Sequence, residues 1–429
     1  MTKPLRIAMA GLGTVGGGVA RLLALRGDEL SERAGRKLDV VAVSARDRRK
    51  RRATDLSSLT WIDDAVALAE SDADVVVELI GGEDGIALDL VRAAIANGKH
   101  IVTANKALLA KHGAALAMQA EAKGVALKFE AAAAGGIPIV KALRESLIAH
   151  GITAVRGILN GTCNYILTQM EATGRPFADV LADAQHLGYA EADPTLDIGG
   201  GDTAHKLALL SSLAFGLKPD LANIATTGIT DIASEDIRFA REFGYRIKLL
   251  GIAKMTPKGI DQRVQPAMVK LGTPLADVDS SFNAVVAQAG EAGPFTFEGR
   301  GAGEAPTASA VIGDLVDIAR GDTGPAFGRP AEKLKAAIPA PPEARVSPFY
   351  LRFRVLDESG VLADIARHLS EAAVSIESML QRGRAPGEPV AIVMITHECA
   401  QPSVERALKA IAASDKVLGT PSMIPMEAA

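Results

Sequence analysis

The sequence has few cysteines and no excess of either charge, and both absences exclude classes of protein. The 429 residues contain two cysteines, Cys163 and Cys399, which lie far apart and give neither a disulfide framework nor a cysteine-rich metal site. A reducing cytoplasm is therefore the expected location. Lys and Arg total 47 against 51 Asp and Glu, so the net charge of −4 gives no overall attraction to nucleic acid or to an anionic membrane.

Long apolar runs and metal-binding histidine pairs are also missing. No stretch approaches the roughly 18 uninterrupted apolar residues of a membrane-spanning helix, and the densest patches, such as Val75 to Val77, have the length of a strand. Glycines interrupt the N-terminal segment MTKPLRIAMAGLGTVGGGVA, so we expect no signal peptide. The seven histidines form no HExxH pair, which leaves catalytic zinc without a basis.

The chain is long enough for about three domains at roughly 150 residues each. Short β-branched runs alternate with Ala- and Leu-rich stretches from Leu5 to about Phe129, the pattern of βα units on a parallel sheet. After Gly135 longer helical stretches mix with strands such as RIKLLGIAKM, which indicates an α+β second domain.

A proline-rich segment, AIPAPPEARVSP at residues 337–348, favours an extended tether over a packed element. Beyond it the predicted order is βαββαβ, that of a ferredoxin-like fold, with middle strands at 374–383 and 388–398 and a weak final strand near 416–424. The predicted domain boundaries are 1–130, 131–335 and 349–429, with a linker at 336–348.

The first strand leads into a glycine-rich turn, GLGTVG, which opens an apolar helix. This is the context of a dinucleotide fingerprint, in which glycines permit a tight turn and close approach of the backbone to a pyrophosphate. A plain glycine-rich turn is the alternative. The cofactor-binding residues predicted here are Gly11, Leu12, Gly13, Thr14, Val15 and Gly16.

The end of the second strand predicts which nicotinamide cofactor is bound, because an acidic residue there binds the ribose diol and a basic one tolerates a 2′-phosphate. The strand LDVVAVS ends in Ser44 and is followed by ARDRRKRR, in which Arg46 can pair with a phosphate. We therefore predict NADP(H) in preference to NAD(H). A solvated basic loop is the alternative, and a nucleic-acid patch is disfavoured because no aromatic residues interleave the basic ones.

Two more motifs, ELIGG at 78–82 and TANK at 103–106, each follow an apolar strand. Ligands collect at the carboxyl ends of strands in open α/β sheets, so Gly81 and Lys106 are expected near the cofactor and substrate. A surface lysine that opens a helix would occupy the same position as Lys106.

The densest polar cluster is GYAEADPTLDIGGGDTAHK, residues 188–206, which leads into an apolar helix. Asp202 and Lys206 are four residues apart on one helical face, so a structural ion pair is one interpretation. Upstream, FEAAAAGGIP leaves main-chain carbonyls near Glu130, and hard cations bind such oxygens, although a compact domain crossover is the simpler interpretation. Asn160 begins a formal glycosylation sequon that we discount without a secretory signal.

Seven motifs in order resemble those of bacterial homoserine dehydrogenases, from the first strand to about Arg320, and the βαββαβ tail resembles an ACT domain. The motifs are GLGTVG, ELIGG, TANKALLA, FEAAAAGGIPI, NGTCNYIL, GYAEADPTLDIGGGDTAHKLALL and GRGAGEAPTASAVIGDLVDIAR. The resemblance implies an N-terminal Rossmann domain, an α+β catalytic and dimerisation domain, and a C-terminal ferredoxin-like ACT domain. It implies reversible NAD(P)H-dependent reduction of L-aspartate 4-semialdehyde to L-homoserine, in threonine, methionine and isoleucine biosynthesis.

The resemblance also implies residue roles, motif by motif. Glu191 and Lys206 match the family's homoserine contacts, and Lys206 matches its proton donor. The chemistry agrees, because hydride addition to an aldehyde leaves an alkoxide that the ammonium groups of Lys106 and Lys206 would stabilise and protonate. Glu191 suits the substrate ammonium, and Asp202 would orient Lys206 or keep it charged. The predicted catalytic residues are Lys206, Lys106 and Asp202.

Further family features map onto other segments. Gly303 resembles a position that closes over the nicotinamide, while Cys163 and Glu304 depart from the small residues usual at their positions. Family members bind a sodium-like monovalent cation, and the matching ligands here are Glu130, Ala133, Gly135 and Ile137.

The ACT-like tail places Gly360 at a strand-to-helix turn where such domains bind amino acids. We therefore expect L-threonine to act as a feedback effector, with a tail used only for assembly as the alternative. The family and its ACT modules also predict a homodimer or homotetramer. The competing functions are another Rossmann amino-acid dehydrogenase, such as an aspartate dehydrogenase, and a non-catalytic sensor of NADPH and amino acids.

Overall fold

Short β-branched strands build a parallel sheet at the N-terminus of the computed structural model, which describes residues 3–52, 54–381 and 389–427. Its strands are β1 (Leu5–Ala10), β2 (Leu38–Ser44), β3 (Thr60–Trp61), β4 (Val75–Glu78), β5 (His100–Thr103) and β6 (Leu127–Lys128). All neighbours are parallel, in the order β3-β2-β1-β4-β5-β6. The order reverses between β1 and β4, which places a ligand crevice at their carboxyl ends and confirms the Rossmann domain.

Helices α1 (Thr14–Ala34), α2 (Ile86–Ala96) and α3 (Lys106–Ala122) connect these strands. Asn105 caps α3 by accepting a hydrogen bond from the Leu108 amide, so Lys106 begins the helix at the crevice.

The second domain is α+β, as predicted. Its strands are β7 (Ile152–Ile158), β8 (Ala225–Thr226), β9 (Tyr245–Thr256), β10 (Gly259–Lys270), β11 (Phe282–Ala289) and β12 (Pro294–Arg300). Its helices are α4 (Ile139–Lys141), which continues as a π-helical turn (Ala142–Ser146), α5 (Gly161–Thr173), α6 (Phe177–His186), α7 (Thr195–Ile198), α8 (Gly201–Phe215), α9 (Ser234–Glu242) and α10 (Glu304–Ala319). Helix α10 returns to α1 and buries Val311 and Leu315 in the core of the parallel sheet.

The third domain has the predicted βαββαβ order. Its elements are β13 (Val346–Ser347), β14 (Phe349–Leu356), α11 (Val361–Glu371), β15 (Ile376–Gln381), β16 (Pro389–Thr396), β17 (Cys399–Ala400), α12 (Gln401–Ile411) and β18 (Ser422–Glu427). The four main strands lie in the order β18-β14-β16-β15, that of a ferredoxin-like fold. The final strand begins later than predicted, and the predicted strand residues 382, 383 and 388 lie outside the described residues.

The second and third domains share one ten-stranded sheet. Strand β18 pairs with β14 through its first residues and with Met268 and Val269 of β10 through Met426 and Glu427. The Arg263 guanidinium forms a buried ion pair with the Glu427 carboxylate at this junction. Among the described helices, none has the length and apolar character needed to cross a membrane.

The proline-rich segment is extended except for a 3₁₀ turn at Pro342–Ala344, but it is packed, which corrects the prediction of a free tether. The Ile260 amide donates to the Ile338 carbonyl and the Ala340 amide donates to the Ile260 carbonyl, each at 2.8 Å. The Arg345 Nε lies 2.9 Å from Asp261 Oδ1. Prolines lack an N–H, but the residues between them keep enough donors and acceptors to pair along the start of β10.

Candidate active site

The turn between β1 and α1 has the close backbone contacts that require glycine. Gly11 has φ +99°, and a Cβ added there would lie 2.5 Å from the Leu79 carbonyl oxygen. A Cβ on Gly16 would lie 2.0 Å from the carbonyl oxygen of Gly11. Around Gly13, by contrast, no described atom lies within 4 Å of an added Cβ, so this position is open to a ligand. Leu12 belongs to the same turn, while Thr14 and Val15 begin α1.

A cavity of about 570 Å³ lies above this turn, and the basic segment borders it. Arg46, Lys50 and Arg52 line the cavity together with Gly11 and Gly13. A dinucleotide fits this arrangement, because its pyrophosphate can approach the glycine backbone and its ribose end meets positive charge.

The basic segment is held in place by local contacts. Asp47 accepts hydrogen bonds from the amides of Arg49 and Lys50, at 2.8 and 3.2 Å. The guanidinium carbons of Arg48 and Arg52 lie 5.4 and 5.3 Å from the centroid of the Trp61 ring. These contacts leave Arg46 at the cavity wall.

The ELIGG and TANK motifs meet at the carboxyl ends of β4 and β5 through a buried carboxylate. Glu78 accepts hydrogen bonds from the amides of Ile80 (2.7 Å) and Gly81 (3.0 Å) and from the Thr103 hydroxyl (2.6 Å). Gly81 has φ +85°, which suits glycine. Glu78 thus fixes both loops, a role that the sequence analysis did not assign.

A second cavity, of about 580 Å³, lies between the parallel sheet and the α+β domain. It brings together residues that are distant in sequence, because Lys106 comes from the start of α3 and Asp202 and Lys206 come from the first turns of α8. The remaining predicted residues that line it are Val15, Gly135, Glu191 and Gly303.

Asp202 lies between the two lysines. Its Oδ1 is 3.1 Å from Lys106 Nζ, and its Oδ2 is 2.7 Å from Lys206 Nζ. Lys206 also donates to the Leu159 carbonyl at 2.7 Å. Burial alone would raise the pKa of Asp202, but the two ammonium groups and its hydrogen bonds hold that pKa well below its usual range. The carboxylate therefore stays ionised and keeps both lysine heads in the cavity.

Two residues in this cavity were not predicted as functional. The Asn160 amide donates to Asp202 Oδ2 at 2.9 Å and to Asp197 Oδ1 at 2.7 Å, and both Asn160 and Asp197 line the cavity. Burial and the nearby charge of Asp202 raise the pKa of Asp197, against the effect of the Asn160 hydrogen bond. The sequence signals were the motif NGTCNYIL, which begins at Asn160 and includes the formal sequon, and the acidic cluster that contains Asp197.

Glu191 lies on an exposed loop at the cavity rim. The loop is tied to its surroundings by the Thr162 hydroxyl, which donates to the Tyr189 carbonyl at 2.8 Å, and by Gln185 Nε2, which donates to the Glu191 carbonyl at 3.1 Å. The Tyr165 and Tyr189 rings stack with centroids 4.3 Å apart. Among the described residues no side chain pairs with the Glu191 carboxylate, so it is available to a cationic group at the entrance.

The segment predicted to bind a cation lies under the same cavity. The two carboxylate oxygens of buried Glu130 accept hydrogen bonds from the amides of Val140 (3.0 Å) and Lys141 (2.8 Å). Burial raises the pKa of Glu130 to about 7, although these hydrogen bonds oppose the shift. Ala134 and Gly135 both have φ +56°, which curves the chain between Ala133 and Ile137.

The donors in this segment suit a hard cation, because a carboxylate and main-chain carbonyls offer oxygen ligands and a carboxylate can accept more than two bonds. Within the described residues, no group of three or more His, Cys, Asp or Glu side chains is placed to hold a metal ion. A site here would therefore depend on carbonyl oxygens.

Two glycines that the sequence analysis singled out, Gly303 and Gly360, each lie at the start of a helix. Gly303 has φ +112° and precedes α10, whose first residue, Glu304, forms an ion pair with Arg21 at 2.9 Å. Gly360 has φ +94° and precedes α11.

Cys163 is buried, and its Sγ lies 3.2 Å from the Asp197 carbonyl oxygen. Burial raises the pKa of this thiol well above its usual value, which keeps it protonated.

Comparison with known proteins assigns each part of the chain. Residues 138–316 match the family model described as homoserine dehydrogenase, residues 11–130 match its NAD binding domain, and residues 349–415 match the ACT domain. The chain is 45% identical to homoserine dehydrogenase from Neisseria gonorrhoeae and 42% identical to that from Pseudomonas aeruginosa, with 99% of each chain covered.

A solved structure of a homoserine dehydrogenase from Thiobacillus denitrificans is 44% identical, covers 99% of both chains and superimposes with a TM-score of 0.94. The NAD binding domain, the catalytic domain and the ACT domain thus occur together in this chain, which matches these relatives over its full length. The chain therefore belongs to the homoserine dehydrogenase family and is an oxidoreductase that acts on a CH–OH group.

Proposed function

We propose that the chain interconverts L-homoserine and L-aspartate 4-semialdehyde at the cavity lined by Lys106, Asp202 and Lys206. This proposal rests on two ion pairs, in which the ionised Asp202 carboxylate binds the ammonium groups of both lysines. They lie beside a glycine-rich turn built for a dinucleotide. Two positive charges in a partly enclosed site suit an alkoxide that forms at the substrate oxygen.

A nicotinamide cofactor, when bound, supplies the hydride that reduces the aldehyde carbon. The ammonium groups of Lys106 and Lys206 stabilise the negative charge that develops on the oxygen, and Lys206 Nζ donates the proton. Asp202 holds both ammonium groups through ion pairs, and the Leu159 carbonyl helps to orient Lys206. Glu191 binds the substrate ammonium at the cavity entrance.

We infer that NADP(H) is preferred over NAD(H). The support is the basic wall of the cofactor cavity, where Arg46 lies beyond the end of β2 and no acidic residue occupies the last position of that strand. Replacing Arg46 with Ala is expected to raise KM for NADP⁺ by about tenfold and to leave KM for NAD⁺ nearly unchanged. Equal changes for both cofactors would contradict the assignment.

We also propose that the loop under the cavity binds a sodium-like monovalent cation through Glu130 and the carbonyl oxygens of Ala133, Gly135 and Ile137. A cation there would stabilise the loop, which contributes Gly135 to the cavity wall. Exchange of sodium for a large organic cation is then expected to lower the melting temperature, because a ligand bound only by the native state stabilises it. An unchanged melting temperature would contradict the site.

At the ACT domain we propose L-threonine as an effector that binds near Gly360, in a protein that assembles as a homodimer or homotetramer. The support is the left-handed turn at Gly360 and the shared sheet that joins the ACT domain to the catalytic domain. Added threonine is expected to lower activity and to raise the melting temperature of the full chain. If neither changes, the tail serves assembly alone.

The decisive experiment follows homoserine-dependent reduction of NADP⁺ and NAD⁺ by the purified chain, with and without threonine. Turnover that favours NADP⁺ is expected. The Lys206→Ala variant should still bind NADPH but lose turnover by about a thousandfold, because it lacks the proton donor. A variant that keeps its turnover would exclude Lys206 as the donor, and a wild-type chain that binds NADPH without turnover would overturn the proposed reaction.

A further inference from the structure

We propose that Asn160 is a positioning residue for this reaction, because its amide joins the carboxylates of Asp197 and Asp202 and sets the orientation of Asp202 between the two lysines. The proposal rests on the proposed function, since it takes Lys106, Asp202 and Lys206 as the reacting groups. Asn160 lies at the junction of β7 and α5, is only 4% exposed and lines the same cavity.

The orientation of the Asn160 amide follows from its partners. Its Oδ1 accepts a hydrogen bond from the Cys163 amide at 2.8 Å and thereby caps α5. Its nitrogen must then face the two carboxylates, because a flipped amide would turn an oxygen toward both of them and an N–H toward the Cys163 N–H. One side chain therefore performs two separable tasks, a cap through oxygen and carboxylate binding through nitrogen.

The two N–H groups stabilise an arrangement that charge alone disfavours. Asp197 and Asp202 both accept from one nitrogen atom, so the half-buried and the buried carboxylate lie close enough to repel each other. Asn160 satisfies both without adding charge. The titratable groups around this pair are Lys106 of α3, Cys163 of α5, and His205 and Lys206 of α8.

The same contact fixes how Asp202 uses its two oxygens. Oδ2 receives both Asn160 and Lys206, which leaves Oδ1 directed at Lys106. Without the Asn160 donor the carboxylate can rotate, and Lys206 can follow it away from the substrate oxygen. Because effective proton transfer needs the donor within hydrogen-bond reach, a small rotation lowers the rate of the chemical step more than it affects binding.

Two variants separate the cap from the positioning role. Asn160→Asp and Asn160→Ser both keep an oxygen that can cap α5. Asp has no donor, and Ser has a single O–H on a shorter side chain, so neither can donate to both carboxylates. We expect kcat for homoserine oxidation to fall about 10- to 100-fold in each, with NADPH affinity unchanged. The acid limb of the pH–rate profile should move up by about one pH unit in Asn160→Asp, because a third carboxylate raises the pKa of its neighbours.

The matched control is Asn223→Asp, since Asn223 also donates its amide to an aspartate, Asp220, but on an exposed loop. It is expected to keep the wild-type rate and pH profile. Melting temperature reports whether each variant folds, and Asn160→Ser carries the test if Asn160→Asp does not fold.

The result that overturns the proposal is a wild-type kcat and pH profile in folded Asn160→Ser. The Lys206→Ala variant separates this failure from failure of the proposed function. If Lys206→Ala is inactive while the Asn160 variants behave as wild type, only the positioning role is wrong. If Lys206→Ala is fully active, the assignment of the reacting site is wrong as well.

Discussion

Two buried aspartates, Asp202 and Asp236, occupy similar positions in their helices but have different surroundings. Each lies in the first turn of a helix, α8 or α9, and each is bound by a cationic side chain from another domain. Asp202 faces Lys106 from the parallel-sheet domain. Asp236 is bound by Arg352 of β14, whose Nε and Nη2 lie 2.6 and 2.9 Å from its two oxygens.

The difference lies in solvent access and in the type of cation. Asp202 opens onto a cavity of about 580 Å³, and its partners are lysines, which carry a compact charge and can exchange a proton. Asp236 is fully buried, and the arginine grips it through two parallel hydrogen bonds and does not deprotonate. Tyr350 adds a hydroxyl donor at 3.0 Å. The first arrangement suits chemistry and the second suits a rigid junction between the catalytic and ACT domains.

The largest expected effect is the loss of activity on substitution of Asp202, which opens onto the cavity. Asp202→Asn should lower kcat/KM by about a thousandfold, because the neutral amide loses the ion pairs that hold Lys106 and Lys206 in place. The free energy of unfolding should fall by about 2 kcal/mol, less than at Asp236, since Lys106 is one-third exposed and can be solvated in the cavity although Lys206 is buried. Steady-state kinetics and urea denaturation measure the two effects, and a loss of stability without a loss of rate would remove the contrast with Asp236.

At the junction between the catalytic and ACT domains, which is closed to solvent at Asp236, we expect a larger effect on stability than on activity. Asp236→Asn should lower the free energy of unfolding by about 3 kcal/mol, because it leaves Arg352 with only the more distant Glu235 carboxylate, at 3.6 Å, and turns an N–H toward donors. These donors include the Ala233 amide, which the native carboxylate accepts at 3.1 Å. The folded variant should keep kcat within about twofold, since Asp236 touches no part of the cavity. A large drop in kcat in fully folded protein would show that the junction also controls the site.

The sequence predicted the parallel sheet and the Asp202–Lys206 pair better than it predicted the junction between the catalytic and ACT domains. Strand patterns and GLGTVG were enough for the parallel sheet, and the Asp202–Lys206 spacing indicated an ion pair that the structure contains. The shared sheet was not predictable, because β10 and β18 pair across a separation of more than 150 residues, which leaves no local pattern. Asn160 was missed for the same reason, since its partners come from α7 and α8.

The proline-rich segment shows a related limit. Its composition correctly indicates extended backbone, but whether an extended chain is free or packed depends on what lies beside it. Here the start of β10 offers hydrogen-bonding groups to Ile338 and Ala340. Composition alone contains no information about that neighbour.

A third buried ionisable group, the Lys248 ammonium, makes the stability of the fold depend on pH. Lys248 is 1% exposed, donates to the Val278 carbonyl at 2.6 Å and to Asn164 Oδ1 at 3.1 Å, and lies 3.8 Å from Asp279. Burial lowers its pKa to about 8, although the Asp279 charge opposes the shift. Like Asp236, it is an ionisable group in a closed setting.

The sign of its effect on stability follows from proton binding. Between pH 8 and about pH 10.5 the unfolded chain holds the Lys248 proton more tightly than the native chain, so the stability contribution of this group rises with pH. The rise is on the order of 3 kcal/mol over this pH range. Urea denaturation from pH 7 to 10.5 should show it in the wild type and in the exposed control Lys258→Met. In Lys248→Met the rise should be absent, and parallel curves for all three proteins would contradict the assignment.

The smallest expected effect tests whether the closed junction acts as one unit. Burial and the neighbouring Asp236 charge raise the pKa of Tyr350, so its hydroxyl is a donor at every working pH. Tyr350→Phe should lower the free energy of unfolding by about 1 kcal/mol, because Asp236 loses one hydrogen bond but keeps the arginine. In an Asp236→Asn background the same change should have a smaller effect, since the weaker neutral acceptor benefits less from the hydroxyl. Equal effects in both backgrounds would show that the contribution of the Tyr350 hydroxyl does not depend on the Asp236 charge.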